Sequence, residues 1–211
     1  LIRISFNGVT QRFGSRPVFD NLTGVIESGQ TGIITGSNGS GKSTLLKIVA
    51  GLLTAEKGNV SFELNGRSLN AVERRCLIGM VAPDLTLYRE LTGAENLTFF
   101  ANLKGIEPTR EMLIAALTEV GLKGRGRDLV GGYSSGMRQR LKYAFALLGR
   151  PPVMLLDEPT ANLDAEGVAM VERLLAAHRE QHAGQGIAII ATNEPRETAW
   201  GESLIRLEPI V

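Results

Sequence analysis

Gly36-Ser37-Asn38-Gly39-Ser40-Gly41-Lys42-Ser43-Thr44 decides the reading of this chain. The run fits G-x-x-x-x-G-K-[ST] without a gap. A strand-like apolar run, Thr31–Thr35, precedes it, and a helix-like run, Thr44–Leu53, follows. Glycines let such a loop fold back so that successive backbone N–H groups, here from Ser37 to Thr44, point at phosphate oxygens. Lys42 would reach the β- and γ-phosphates, and the Ser43 hydroxyl would ligate Mg²⁺. The following helix adds its positive N-terminal end. A chance Gly/Ser-rich turn has no reason to sit between a strand and a helix in this order. The expected ligand is a nucleoside triphosphate with magnesium.

A second run completes that site. Val153-Met154-Leu155-Leu156-Asp157-Glu158 is four apolar residues followed by two acids. It reads as a buried strand with Asp157 at its C-terminal end, beside the loop. Asp157 would hold Mg²⁺ through water, and Glu158 would polarise a water facing the γ-phosphate.

The remaining chain supports one α/β domain. Its 211 residues can bury a sizeable core, and 43% apolar with 21% charged residues is ordinary for a globular protein. A net charge of +1 makes no case for nucleic acid as the main partner. No apolar run approaches the roughly 20 residues that span a bilayer. The start at Leu1 rather than Met reads as a trimmed end, so targeting is not read from it. Cys76, the single cysteine, rules out an internal disulfide and reads as a small buried apolar residue. A reducing, cytoplasmic setting fits.

Strand-like runs occur at 2–6, 22–27, 31–35, 59–64, 78–82, 153–157, 187–192 and 204–207. Those at 31–35, 153–156 and 187–190 are continuous and β-branched, as in a parallel sheet covered on both faces. The early strands alternate, with turn signals at Asn7-Gly8, Ser28-Gly29 and Asn65-Gly66, and read as an antiparallel layer. The stretch 93–149 reads as helices at 94–103, 109–120 (Thr109 as N-cap, Gly121 as stop) and 135–148. The expected division is a core at 1–83 and 151–211, with an inserted helical lobe at 84–150.

Further motifs carry a family resemblance. Tyr133-Ser134-Ser135-Gly136-Met137-Arg138-Gln139-Arg140 resembles the LSGGQ signature of the ATP-binding-cassette (ABC) ATPases. Tyr133 replaces Leu, Ser135 replaces the first Gly, and Met137 replaces Gln. Ala161-Asn162-Leu163-Asp164 is similar to the D-loop, and Leu91–Leu97 to the opening of the helical lobe. Phe13 matches the aromatic position that stacks on adenine. The resemblance covers nearly the whole chain. It implies that Ser134, Ser135 and Gly136 serve the ATP of a second subunit, so that two copies sandwich two ATPs head to tail. It also implies a motor that hydrolyses ATP to drive a separate transmembrane permease. That motor would be cytoplasmic, peripheral at the inner face of the membrane, and would touch the membrane only through the permease. The groove near 83–88 would receive the permease. The run 34–39 and the compact size are similar to the haem-exporter (cytochrome c maturation) ATPases.

Two departures bear on mechanism. Asn193 stands where the family has its switch histidine; it can hydrogen-bond the γ-phosphate or water but cannot become cationic. Pro83 or Asp84 stands where the family has the Q-loop glutamine, and Asp84 could serve as a metal ligand. The catalytic set is then Glu158, Asn193 and Lys42, with Ser43, Asp157 and Asp84 toward the metal. Turnover is expected to be slow. The rival reading is a soluble or catalytically weakened ABC ATPase acting as a nucleotide-gated clamp. His178 and His182, the only histidines, are expected on an exposed helix face, as are Arg138, Arg140 and Lys142. The run 123–127 is expected to be an exposed loop.

Overall fold

Two sheets back to back position everything else. The structure, a computed structural model, describes residues 1–208. The expected core segment 151–211 therefore runs three residues past the described part.

The first sheet is antiparallel. Strand β1 (Ile2–Phe13) pairs with β2 (Arg16–Glu27) on one side and β4 (Lys57–Leu64) on the other, and β4 pairs with the short β5 (Arg67–Ser68). Asn7-Gly8 is not a turn, as its residues suggest. The strand runs through it with a register shift between Phe6 and Val9, and Gly8 takes φ +60°. The extra residue is absorbed as a bulge, which re-aims the strand without ending it. The hairpin turns instead at Gly14-Ser15, which places Phe13 and Arg16 opposite each other.

The second sheet is parallel, in the order β6-β7-β8-β3-β9: β6 (Ile78–Val81), β7 (Val153–Asp157), β8 (Ile187–Ala191), β3 (Thr31–Gly36) and β9 (Ser203–Leu207). The continuous apolar runs at 31–35, 153–156 and 187–190 are its central strands, and every residue of β7 and β8 is buried. Side chains alternate between two cores. Val153, Leu155, Ile187 and Ile189 pack toward Phe6, Phe62 and Leu45, on the side of the antiparallel sheet. Met154, Leu156, Ala188 and Ile190 pack toward Leu97, Leu141, Val171 and Leu174. Each buried Val, Leu, Ile or Met among them is worth about 1.5–3 kcal/mol, so both faces of the strands stabilise the fold.

The helices start where their caps put them. Helix α1 (Lys42–Ala50) follows Gly41 and stops at Gly51. Helix α2 (Ala71–Cys76), not foreseen in the sequence, is opened by a capping box between Asn70 and Glu73. Cys76 at its end is exposed, a correction, because α2 buries no residue. Between β6 and β7 lie α3 (Gly93–Leu103), α4 (Arg110–Glu119) and α5 (Ser135–Leu147), capped by Thr92, Thr109 and Ser134. Gly121 follows α4 at φ +75°. The run 123–127 is largely exposed, as expected. After β7, α6 (Ala165–Gln181) is capped by Asp164, and α7 (Pro195–Thr198) follows β8. Among the described residues no helix is long and apolar enough to cross a membrane.

Candidate functional site

The loop 36–41 leaves the C-terminal end of β3 and turns into α1. Two of its glycines are demanded by the turn. Gly41 has φ +100°, and a Cβ there would lie 2.2 Å from Val18 Cγ1. Gly36 has φ +154°, and a Cβ would meet Leu207 O at 2.4 Å. The loop is thus pressed against β2 on one side and β9 on the other. Ser40 N donates to Ser37 O at 3.1 Å, while the buried Ser40 Oγ has no protein partner. Ser37, Asn38 and Gly39 are exposed, and Thr44 is half-buried.

Lys42 lies under this loop. Its Nζ donates to Gly36 O (2.8 Å) and Ser37 O (3.2 Å). Burial pulls its pKa below the ordinary lysine value, and the charges of Glu158 and Asp157 push it back. The lysine and both acids therefore share one electrostatic site. Asp157 closes β7 and is buried; burial raises its pKa first of all, and a hydrogen bond with Ser43 opposes this. Its Oδ1 is buried without a protein partner. A buried carboxylate oxygen normally has a partner, and with the Ser43 hydroxyl it forms an all-oxygen donor set that fits a hard cation such as Mg²⁺.

Glu158 is exposed and adopts φ +48°, a conformation unusual for a side chain of this size, while its N–H donates to Ala191 O at 2.9 Å. Asn193, just beyond β8, reaches the loop directly: its Nδ2 donates to Asn38 Oδ1 at 2.7 Å. The residues singled out in the first and the last third of the chain thus meet at the C-terminal edge of the parallel sheet. Asp84 approaches as well, but paired: its Oδ2 lies 2.6 Å from Lys47 Nζ on α1. Phe13, at the hairpin tip, is 54% exposed.

Ser134, Ser135 and Gly136 lie apart from the loop, at the start of α5. Ser134 accepts from Met137 N, and both serines are exposed. A Cβ on Gly136 would sit 3.3 Å from Asn162 O, so the two motifs touch. The expected solvated face of α5 is a correction. Arg140, its side chain 11% exposed, bridges to Asp164 and Glu166; Arg138 donates to Tyr133 O; Lys142 donates to Ala82 O and Pro83 O. Backbone carbonyls and acids at the neighbouring loops recruit these cations. His178 is likewise buried, not exposed, with its ring nitrogen 3.0 Å from Pro151 O.

Several contributors were not legible as functional in the sequence. Arg16 lies across the hairpin from Phe13, with its guanidinium within 3.8 Å of where a Gly39 Cβ would be. Tyr143 on α5 is fully buried and donates to Pro159 O, one residue after Glu158. Glu197 on α7 is buried and accepts from Thr160 N (3.2 Å) and from Thr160 Oγ1. Only the Phe13–Gly14 turn signal could have pointed to Arg16.

The sequence profile described as ABC transporter matches residues 19–161. A cytochrome c biogenesis ATP-binding export protein, CcmA, of Xanthomonas axonopodis pv. citri is 37% identical over 177 residues, 84% of this chain and 80% of its own. The protein of that name from Rhizobium meliloti is 35% identical over 205 residues, 96% and 97% of the two chains. Among solved structures, the ATP-binding cassette MJ0796, dimeric and bound to ADP and Pi, superposes with a TM-score of 0.84 at 25% identity, covering 99% of this chain and 97% of that one.

Proposed function

The chain belongs to the ABC transporter family of ATP-binding cassettes, and from that premise we propose that it is the ATP-hydrolysing motor of a transporter whose membrane-spanning permease is a separate polypeptide. The observation that carries this reading is the meeting of Lys42, Ser43, Asp157, Glu158 and Asn193 around one loop.

In this reading the N–H groups of 37–44 bind the phosphates, and Phe13 with Arg16 flanks the purine. Lys42 leaves the carbonyls of Gly36 and Ser37 for the β- and γ-phosphates. Ser43 and Asp157 would hold Mg²⁺, which when bound would supply charge neutralisation at the phosphates. Glu158 accepts the proton of the water that attacks the γ-phosphorus. The bond to the β–γ bridging oxygen breaks, leaving ADP and inorganic phosphate. Asn193, fixed by Asn38, orients that water by an amide hydrogen bond. Its amide donates hydrogen bonds but neither becomes cationic nor shuttles a proton, so slower turnover follows.

Ser134, Ser135 and Gly136 lie outside the loop that Lys42 serves, which supports their use on the nucleotide of a second copy. Two chains would then close head to tail. The same reading divides the chain into a core at 1–83 and 151–211, described as far as 208, and a helical lobe at 84–150. Tyr88 and Phe99, 47% and 38% exposed, stand 5.0 Å apart at the edge of that lobe, and Leu103 nearby in α3 is 70% exposed. This apolar ledge suits the coupling segment of a permease. The relatives' names favour export.

Glu158→Gln tests the reading. It removes the proton acceptor and keeps the shape, so an ATP-dependent dimer should accumulate in size-exclusion light scattering. A variant that stays monomeric with ATP contradicts the sandwich. An ATP-bound wild-type dimer without turnover, alone or with membranes, would mark the chain as a nucleotide-gated clamp instead.

A further inference from the structure

The loop that leaves β6 toward α3 is gripped from two sides by lysines. Lys47, in the last turn of α1, holds the Asp84 carboxylate at 2.6 Å. Lys142, on α5, holds the carbonyls of Ala82 (2.9 Å) and Pro83 (2.8 Å). Helix α1 is the one that leaves the phosphate loop, and α5 is the one that begins at Ser134. The segment 82–84 is therefore one of the points where the nucleotide side and the signature side of the molecule are tied together.

The grip of Lys47 depends on charge. The resemblance puts an uncharged glutamine in this region of the loop, and here a carboxylate is present. A glutamine amide would form no ion pair with Lys47. The pair also lies within electrostatic reach of Asp157: the charge of Asp84 raises the Asp157 pKa and that of Lys47 lowers it. Both members are partly solvated, with side chains 37% and 61% exposed. Exposed pairs of this kind are weak and screened by salt, so a divalent cation close by can displace the lysine.

We propose that Lys47 is a positioning residue that holds Asp84 away from the metal, and that the divalent cation arriving with the nucleotide competes with Lys47 for the Asp84 carboxylate. This rests on the reading of Ser43 and Asp157 as the Mg²⁺ site.

The test is a double-mutant cycle read by binding, not turnover. Lys47→Met, Asp84→Asn and the double variant are compared with wild type, titrating Mg²⁺ against a fluorescent ATP analogue. Lys47→Met should lower the Mg²⁺ concentration for half-binding by about two- to fivefold, the strength of an exposed pair. Asp84→Asn should raise it. In the Asp84→Asn background, Lys47→Met should have almost no effect. Amides of 84–87 should exchange faster in Lys47→Met without nucleotide. A Lys47→Met effect of equal size with and without Asp84 would make Lys47 a general charge and overturn the proposal, as would no effect at all. If wild type binds the analogue independently of Mg²⁺, the metal-site reading itself fails; if wild type needs Mg²⁺ and the coupling is absent, only the Lys47–Asp84 switch fails.

Discussion

Replacing Tyr143 by Phe removes one atom from the join between the signature helix and the catalytic loop. The phenol is fully buried and its hydroxyl donates to Pro159 O at 2.8 Å. Burial raises the pKa of that hydroxyl well above the ordinary tyrosine value, so it stays a donor. Phe keeps the packing and leaves the Pro159 carbonyl without its donor, at a cost of about 1–3 kcal/mol. With an unfolding entropy of about 2.1 cal/mol/K per residue and 211 residues, that corresponds to a fall in Tm of about 2–7 °C. Pro159 follows Glu158, whose φ of +48° needs support from its surroundings, so ATP turnover should fall as well while nucleotide affinity holds. Calorimetry and steady-state ATPase on the same preparation measure both. A Tm within 1 °C of wild type would refute the reasoning, because the carbonyl would then have found another partner at no cost. A lower Tm with unchanged turnover would confine Tyr143 to stability.

Acid should destabilise the protein through His178. Burial lowers its pKa from 6.5 to about 4, and the neighbouring His182 adds to this. The unfolded chain takes up the proton first, so this contribution is full above pH 6.5 and is lost as pH falls toward 4. The loss by pH 5 comes to about 2 kcal/mol, and His178→Gln should lack that part in urea melts at pH 7.5 and 5; an unchanged acid loss in the variant contradicts it. Gly41→Ala must tolerate φ +100° and a 2.2 Å approach to Val18. Strain and overpacking of about 1–3 kcal/mol each should weaken ATP analogue binding more than tenfold, measured by fluorescence titration, and binding within twofold of wild type would show that the loop relaxes.

The parallel core was legible because its strands are buried on both faces. Val153–Leu156 and Ile187–Ile190 leave no other reading. The phosphate loop and Asp157-Glu158 were legible because phosphate and metal chemistry demand those residue types at one spacing. Turn chemistry misled at Asn7-Gly8, since the same dipeptide serves a bulge when strands continue on both sides. Short α2 was missed because its stability lies in the Asn70–Glu73 cap and not in an apolar stripe. Arg140 and Lys142 of α5 and His178 were misplaced for a common reason. Their partners, Pro83, Asp164 and Pro151, are remote in sequence, and only folding reveals that a carbonyl or acid is waiting there. The Lys47–Asp84 pair spans two segments in the same way.

The central claim is a dimeric ATPase with Glu158 as its base. The most direct measurement is the steady-state ATPase rate of wild type and Glu158→Gln across a range of protein concentrations. A wild-type rate that rises more than linearly with concentration, and vanishes in the variant, is the predicted result. A rate strictly proportional to concentration, or one that survives the loss of the carboxylate, would contradict it.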